Sequence, residues 1–149
     1  MIKLLAETTK NYIVIGANGA IGASFCSTLK TIGLDVVELS HSPTFTQTQF
    51  NVLQDIPESI PLIKNKNNIV ILCAGYSNIA DCEKNPELSN QFNVVGLKNI
   101  LSYLRSYDVV PVFLSSDNIF DGTRESYDEQ DHPNPPNLYG KQKREIEIF

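Results

Sequence analysis

A tyrosine and a lysine stand four residues apart near the end of the chain, in Tyr139-Gly-Lys-Gln-Lys143. We predict a helix over Leu138–Ile148, which would project the phenol and the ammonium from one face. A free phenol has a pKa of about 10, and a neighbouring cation lowers that pKa by favouring the phenolate. The pair is therefore a candidate proton donor, although an exposed tyrosine on a charged helix has the same spacing.

Two serines, Ser115 and Ser116, follow a predicted strand over residues 109–114. Ligands in open α/β sheets bind at the carboxyl ends of parallel strands, so a hydroxyl at this point would reach the same substrate atom as Tyr139. The alternative is a turn serine that bonds its own backbone. The order of the serines and the Tyr/Lys pair along the chain is consistent with one site.

Three glycines lie directly between the first predicted strand, 12–15, and the first predicted helix, 20–31. By analogy with dinucleotide-binding turns, Gly16 permits the tight turn, Gly19 lets the backbone approach a pyrophosphate, and Gly22 lets the helix pack on the sheet. The helix N-terminus then offers free N–H groups and its positive dipole end to the phosphates. The spacing predicts a dinucleotide site.

The end of the second predicted strand bears on which dinucleotide binds. An acid at this point binds the ribose 2′-hydroxyl of NAD and disfavours the 2′-phosphate of NADP. The sequence has Ser40 and His41 there, both hydrogen-bond donors, whereas Glu38 lies one or two residues early. We therefore expect NADP in preference to NAD, while an ordinary exposed loop histidine remains the alternative for His41.

Strands and helices must alternate to position these residues. Short apolar runs predict strands over 12–15, 36–39, 69–73 and 109–114, with a further short strand over 50–53, and apolar spacing predicts helices over 20–31, 86–107 and 138–148. The pattern of the second helix slips by one residue between Val95 and Leu97. Pro111 favours an edge strand or the start of a strand, because it cannot donate to a ladder. This alternation predicts an α/β fold, a Rossmann-type doubly wound parallel sheet with helices on both faces.

Length and composition favour one domain over residues 1–149 and exclude several classes of protein. The net charge of −5 argues against nucleic-acid binding, which requires a clustered basic surface. No apolar run approaches the roughly 18 residues of a membrane helix, and no signal peptide is evident. Three cysteines without CxxC spacing fit a reducing, cytoplasmic setting. No metal site is expected, and we interpret Cys82 and His132 as structural or solvated.

The chain resembles the extended short-chain dehydrogenase/reductases, and within them the dTDP-4-dehydrorhamnose reductase branch. The resemblance covers nearly the whole chain and rests on these segments: Gly16-Ala-Asn-Gly-Ala-Ile-Gly22, Cys73-Ala-Gly-Tyr76, Asp81-Cys-Glu-Lys-Asn-Pro86, Asn93-Val-Val-Gly96, Ser115-Ser-Asp-Asn-Ile-Phe-Asp-Gly122, Tyr127-Asp-Glu129 and Pro136-Asn-Leu-Tyr-Gly-Lys-Gln-Lys143. The segment that ends in Phe120-Asp-Gly122 is much more specific than the glycine turn.

The resemblance implies roles for individual residues. Ser116 would hydrogen-bond a substrate carbonyl, Tyr139 would protonate its oxygen as hydride arrives, and Lys143 would bind the nicotinamide ribose and lower the tyrosine pKa. Asn93 would lie beside the active site, although a buried, satisfied helix residue is an equal alternative. The expected cofactor-binding residues are Gly16, Asn18, Gly19, Ala20, Ile21, Gly22, Ser40, His41, Ala74, Gly75, Tyr76, Asn93, Tyr139 and Lys143.

Members of this family continue well past the Tyr/Lys helix, so we expect the chain to be truncated before the last strands and the substrate-binding region. The exposed surfaces left by that truncation would favour self-association, for example as a homodimer. The implied function is NAD(P)H-dependent reduction of a 4-keto nucleotide sugar such as dTDP-4-dehydrorhamnose, in cell-surface polysaccharide synthesis. Two alternatives stay open: a nucleotide-sugar epimerase or dehydratase, and a non-catalytic NADP-binding regulatory subunit like the beta subunit of methionine adenosyltransferase.

Overall fold

The computed structural model describes residues 10–55, 57–64, 67–107 and 109–149. Its strands are β1 (Asn11–Ile15), β2 (Val36–Ser40), β3 (Thr48–Gln49), β4 (Asn68–Leu72) and β5 (Val109–Phe113), and its helices are α1 (Ala20–Thr31), α2 (Ile79–Lys84), α3 (Pro86–Asn90), α4 (Leu97–Leu104) and α5 (Leu138–Ile148). The chain forms two compact units. Of the described residues, one unit holds those up to Ala74 together with those from Ile100 to Leu114, and the other holds Gly75–Asn99 with Ser115–Phe149.

The first unit contains one five-stranded sheet in which the strand order is β3-β2-β1-β4-β5 and every pairing is parallel. On the central strand, Ile13 is in register with Val37 of β2 and with Val70 of β4. This order is that of a Rossmann sheet, whose strand order reverses direction beside the first strand. The predicted fold class is confirmed.

Both faces of the sheet are covered. Successive side chains of a strand point to opposite sides, so neighbouring residues of β1 pack into different clusters. On one face, Val14 of β1 packs with Cys26 and Leu29 of α1. On the other face, Ile13 packs with Ile100 and Leu104. Burial on both faces accounts for the near-continuous apolar runs of β1 and β4, which a half-exposed sheet would not need.

The sequence predicted the position of Pro111 in the sheet but not the third strand. The short third strand is Thr48–Gln49, so the prediction of a strand over 50–53 is wrong. Phe50 is instead buried at 4% exposure in the core beneath the sheet, and its apolar character reflects that anchoring. Pro111 lies on β5, which is an edge strand of the described sheet, as predicted.

The helix predicted over 86–107 is three segments in direct succession. A π-helical turn, Gln91–Gly96, joins α3 to α4, and α4 ends at Leu104. A π turn takes more residues than an α turn, so it displaces the apolar spacing along the helix. This turn explains the slip in the apolar pattern between Val95 and Leu97.

Helix α5 begins with two capping contacts. The side chain of Asn137, the N-cap residue, accepts a hydrogen bond from the backbone N–H of Gly140 at 2.8 Å. A carboxylate oxygen of Glu83 accepts the backbone N–H of Leu138 at 2.7 Å. Both contacts satisfy N–H groups that have no partner within the helix. In the described part of the chain, no helix is long and apolar enough to cross a membrane.

Candidate active site

Ser116, Tyr139 and Lys143 lie together in the second unit. The hydroxyl of Ser116 lies close enough to the phenol of Tyr139 to lower its pKa by hydrogen bonding. The Nζ atom of Lys143 lies 5.5 Å from the centre of the Tyr139 ring, within the range of a cation–π contact. The i, i+4 spacing on α5 produces this contact, as the sequence predicted. Their catalytic roles stay predictions.

Burial dominates the ionisation of Tyr139. It raises the pKa of the phenol above its ordinary value, because a low-dielectric surrounding disfavours the phenolate, and nearby Cys82 adds to the rise. The hydrogen bond from Ser116 acts in the opposite direction. The expectation that the pKa is lowered overall is therefore wrong for the free protein. A phenol with a raised pKa holds its proton at neutral pH, which suits a proton donor.

Asn93 lies on the π-helical turn and is only 2% exposed. Its side chain bonds both backbone polar atoms of Tyr76: Oδ1 accepts from the N–H at 2.7 Å, and Nδ2 donates to the carbonyl at 2.8 Å. Nδ2 also donates to Oε1 of Gln142 at 2.8 Å. The described contacts of Asn93 are thus those of a buried, satisfied helix residue beside the candidate site.

Gln142 extends this polar network and was missed from the sequence. Its Nε2 donates to the hydroxyl of Ser89 at 2.9 Å, and that hydroxyl lies 3.1 Å from the carbonyl of Pro86. Gln142 is 2% exposed and lies between Tyr139 and Lys143 on α5. A polar residue three positions after Tyr139 and one before Lys143 shares their side of the helix, and that spacing was the available signal.

The glycine turn lies in the first unit, between β1 and α1. Gly16 has φ +90°, and a Cβ atom at this position would lie 2.5 Å from the backbone nitrogen of Ala74. A Cβ on Gly22 would collide with the carbonyl oxygen of Gly16. Only glycine allows these approaches of backbone to backbone. Ala74 therefore lies against the turn, and its contact with a cofactor stays a prediction.

The N-terminus of α1 fits a phosphate group. Gly19 is the N-cap with no side-chain cap, and the first turn of α1 carries no acid. Gly19, Ala20 and Ile21 are exposed, and a Cβ on Gly19 would meet only the carbonyl of Gly16 at 3.4 Å. The free N–H groups of this turn are thus accessible to an anion, as such helix ends require.

The end of β2 corrects one predicted contact. Ser40 is fully buried, and its Oγ has no hydrogen-bond partner among the described residues. The prediction that this hydroxyl donates to a 2′-phosphate is wrong, because a buried side chain is not presented to a ligand. His41 is exposed, with Nδ1 3.1 Å from Oγ of Ser42. The side chain of Asn18 donates to the carbonyl of Ser42 at 3.0 Å, which joins the glycine turn to this loop.

Glu38, the acid nearest this end of the strand, is engaged elsewhere. It is 7% exposed, forms an ion pair with Lys30 of α1, and accepts a hydrogen bond from Gln47 at 3.2 Å. Its carboxylate is therefore occupied within the first unit.

In the second unit, Gly75 is exposed and Tyr76 is half-buried with its backbone held by Asn93. Contact of Gly75 and Tyr76 with a cofactor stays a prediction.

Comparison with known proteins identifies relatives along nearly all of the chain. The beta subunit of methionine adenosyltransferase 2 from Xenopus tropicalis is 31% identical over 136 residues, which are 91% of this chain and 41% of that protein. A probable low-salt glycan biosynthesis reductase from Haloferax volcanii is 32% identical over 135 residues, 87% of this chain and 45% of that protein.

A solved structure agrees with these relatives. The dTDP-4-dehydrorhamnose reductase of Bacillus anthracis in complex with NADP superposes with a TM-score of 0.75 at 27% identity, over 96% of this chain and 49% of that one. This chain thus spans about half the length of the proteins it matches. The family model described as the RmlD substrate binding domain matches residues 10–149. The chain belongs to the RmlD substrate binding domain family.

Proposed function

We propose that this chain carries the cofactor-binding and proton-donating part of an NAD(P)H-dependent reductase that acts on a 4-keto nucleotide sugar. The observation that carries the proposal is the hydroxyl pair of Ser116 and Tyr139 with the ammonium of Lys143 over the Tyr139 ring. Two hydroxyl groups that can bond one carbonyl oxygen, with a cation beside them, are suited to carbonyl reduction.

Ser116, Tyr139 and Lys143 each have a separate role in the proposed reduction. A bound reduced nicotinamide supplies the hydride that adds to the carbonyl carbon. Tyr139 donates its phenolic proton to the carbonyl oxygen, so that the C=O group becomes an alcohol, and Ser116 hydrogen-bonds the same oxygen. The charge of Lys143 stabilises the phenolate that remains. Positioned proton transfer of this kind contributes roughly 10² to 10⁴-fold in rate.

The glycine turn supports the cofactor half of the proposal. Gly16 and Gly22 let the backbone close tightly, and the exposed N-terminus of α1 can bind a pyrophosphate. Two similar proteins are consistent with this assignment. The Bacillus anthracis reductase was solved in complex with NADP, and the Haloferax volcanii protein is named a probable glycan biosynthesis reductase. We infer NADP in preference to NAD, with His41 and Asn18 near the 2′-phosphate, and a role in cell-surface polysaccharide synthesis.

The test separates binding from turnover. The chain is titrated with NADPH and NADH, and the oxidation of the bound cofactor is then followed with a dTDP-4-keto sugar. We expect NADPH to bind and to be oxidised, and Tyr139→Phe to bind NADPH unchanged while oxidation falls by at least about 100-fold. Tyr127→Phe, which removes a phenol outside the Ser116 pair, is the matched control. Failure of both nucleotides to bind would overturn the cofactor assignment.

A second candidate is a non-catalytic NADP-binding regulatory subunit. It is favoured by the 31% identity to the beta subunit of methionine adenosyltransferase 2. In that case NADPH binds, no sugar substrate oxidises it, and Tyr139→Phe changes nothing that the titration measures. The same experiment therefore decides between the two functions.

A further inference from the structure

Asn118 contacts the hydroxyl oxygen of Ser116 twice. Its backbone N–H donates to that oxygen at 3.2 Å, and its side-chain Nδ2 donates at 3.1 Å. A serine hydroxyl has two acceptor lone pairs and one proton. Because Asn118 fills both acceptor positions, the only hydrogen bond left to Ser116 is one in which it donates.

The direction of these bonds is fixed from the start of α5. The backbone N–H of Gly140 donates to Oδ1 of Asn137 at 2.8 Å, so the amide of Asn137 presents Nδ2 on its other side. That Nδ2 donates to Oδ1 of Asn118 at 3.0 Å, which leaves Nδ2 of Asn118 facing Ser116. A backbone N–H can only donate, so the chain of bonds cannot reverse.

Close packing holds the same residues in place. A Cβ atom on Gly140 would collide with the backbone carbonyl of Asn118. The loop that carries Ser116 and Asn118 is thereby pressed against the first turn of the helix that carries Tyr139. Both the spacing and the polarity of the two hydroxyl groups thus depend on the contact between Asn118 and α5.

The proton of Ser116 has two acceptors in the free protein. One is Oδ1 of Asp117 at 3.1 Å, and the other is the nearby phenol oxygen of Tyr139, whose pKa the Ser116 hydroxyl lowers. The Asp117 oxygen also accepts Nδ2 of Asn118 at 3.1 Å, so it is shared between two donors. A carbonyl oxygen placed beside Tyr139 accepts only, and therefore matches a hydroxyl that can only donate.

We propose that Asn118 is a positioning residue that makes Ser116 an obligate hydrogen-bond donor toward Tyr139 and toward the carbonyl oxygen of the substrate. The substrate part rests on the reductase function proposed above. The donor part is a property of the free chain and is testable without substrate or cofactor.

The test is a double-mutant comparison on the whole chain, with the pKa of Tyr139 as the readout. Tyrosines are labelled with ¹³C at the phenol carbon, the signal of Tyr139 is assigned by its loss in Tyr139→Phe, and its titration is followed by NMR. We expect Ser116→Ala to raise the pKa by about one unit, the size of one hydrogen bond to a charged oxygen. Asn118→Leu should raise it by part of that amount.

The decisive variant combines both substitutions. If Asn118 acts through Ser116, Asn118→Leu has no further effect once Ser116→Ala is present. If Asn118 supports only the local fold, the two shifts add, and that result would overturn the proposal, as would an unchanged pKa in Asn118→Leu. Asn134→Leu is the matched control, because that amide donates to Asp121 at 3.0 Å in the same loop. Asn118→Ala repeats the comparison if Asn118→Leu does not fold.

A kinetic arm keeps the two proposals separate. With NADPH and a 4-keto nucleotide sugar, Asn118→Leu should lower kcat about tenfold, the value of one hydrogen bond to a developing charge, while NADPH affinity is unchanged. Coupled pKa shifts without any turnover would support the donor geometry and overturn the reductase function. Turnover together with additive pKa shifts would support the reductase function and overturn the proposed role of Asn118.

Discussion

Asn93 and Gln142 share a buried hydrogen bond of 2.8 Å that joins the π-helical turn to helix α5. Both side chains are 2% exposed. A buried amide left without its partner costs the full desolvation of the freed group, so this pair is a sensitive point in the second unit. The contact also holds the segment of α5 from which Tyr139 and Lys143 project.

We expect Gln142→Leu to lower the free energy of unfolding by about 1–3 kcal/mol. The substitution keeps nearly the same volume but leaves one N–H of Asn93 and one lone pair of Ser89 unsatisfied. The measurement is urea unfolding, with the midpoint and slope compared with wild type. Lys141→Leu, on the exposed side of the same helix, is the control. Equal stability of the two variants would contradict the prediction.

Gly16→Ala should destabilise the first unit more than Gly33→Ala does. Both glycines have positive φ, +90° and +80°, so either substitution strains the backbone by about 1–2 kcal/mol. Only Gly16 adds a collision, since a Cβ there would lie 2.5 Å from Ala74 N, whereas nothing lies within 4 Å of a Cβ on Gly33. The two unfolding midpoints measure the difference.

Cofactor binding gives the same pair of variants a second readout. Gly16→Ala should weaken NADPH binding because the turn can no longer close, and Gly33→Ala should leave it near that of wild type. Equal losses of stability in the two variants would show that strain alone, without the close approach to Ala74, determines the behaviour of the turn.

Acid should destabilise the loop around Asp121. Its carboxylate accepts hydrogen bonds from Tyr127 Oη at 2.6 Å, from the hydroxyl and N–H of Thr123 at 2.7 and 3.0 Å, and from Asn134 at 3.0 Å. These bonds, that of Tyr127 foremost, hold the pKa of Asp121 well below its usual range. The stability they contribute is present above the unfolded pKa of about 3.9 and is lost as pH falls through the lower folded pKa.

The substitution Asp121→Asn should reduce that acid dependence, because the side chain then takes up no proton on unfolding. Urea midpoints measured in steps from neutral pH to below the unfolded carboxyl pKa provide the comparison. Asp128→Asn is the control, since that carboxylate accepts the N–H of Gln130 at 2.8 Å rather than a network of four bonds. An acid limb as steep as that of wild type would rule out Asp121 as its source.

Much of the framework could be predicted because it depends on local patterns. The apolar runs of β1 and β4 exist because both faces of the sheet are covered at these strands. Gly16 and Gly22 were recognisable because backbone approaches backbone there. The spacing of Tyr139 and Lys143 predicted their contact because residues four apart on a helix lie on the same face. The π-helical turn was also visible in the sequence, as a slip in the spacing of apolar residues.

Contacts between distant segments could not be predicted in this way. Asn118 and Gln142 are polar residues whose partners lie 19 and 49 positions away in Asn137 and Asn93. The spacing of Gln142 places it on the Tyr139 side of the helix, but the sequence around either residue does not reveal the distant residue that it bonds. Similarly, the rise in the pKa of Tyr139 comes from burial, which the spacing of Lys143 does not reveal.

Cys82 gives the second unit a natural measure of its opening. The thiol is fully buried, burial raises its pKa, and its Sγ donates to the carbonyl of Tyr76 at 3.2 Å. A reagent that attacks thiolates can reach this sulfur only when the packing around it opens. The labelling rate of Cys82 under native conditions therefore reports how often the surroundings of Tyr139 loosen, without any engineered probe.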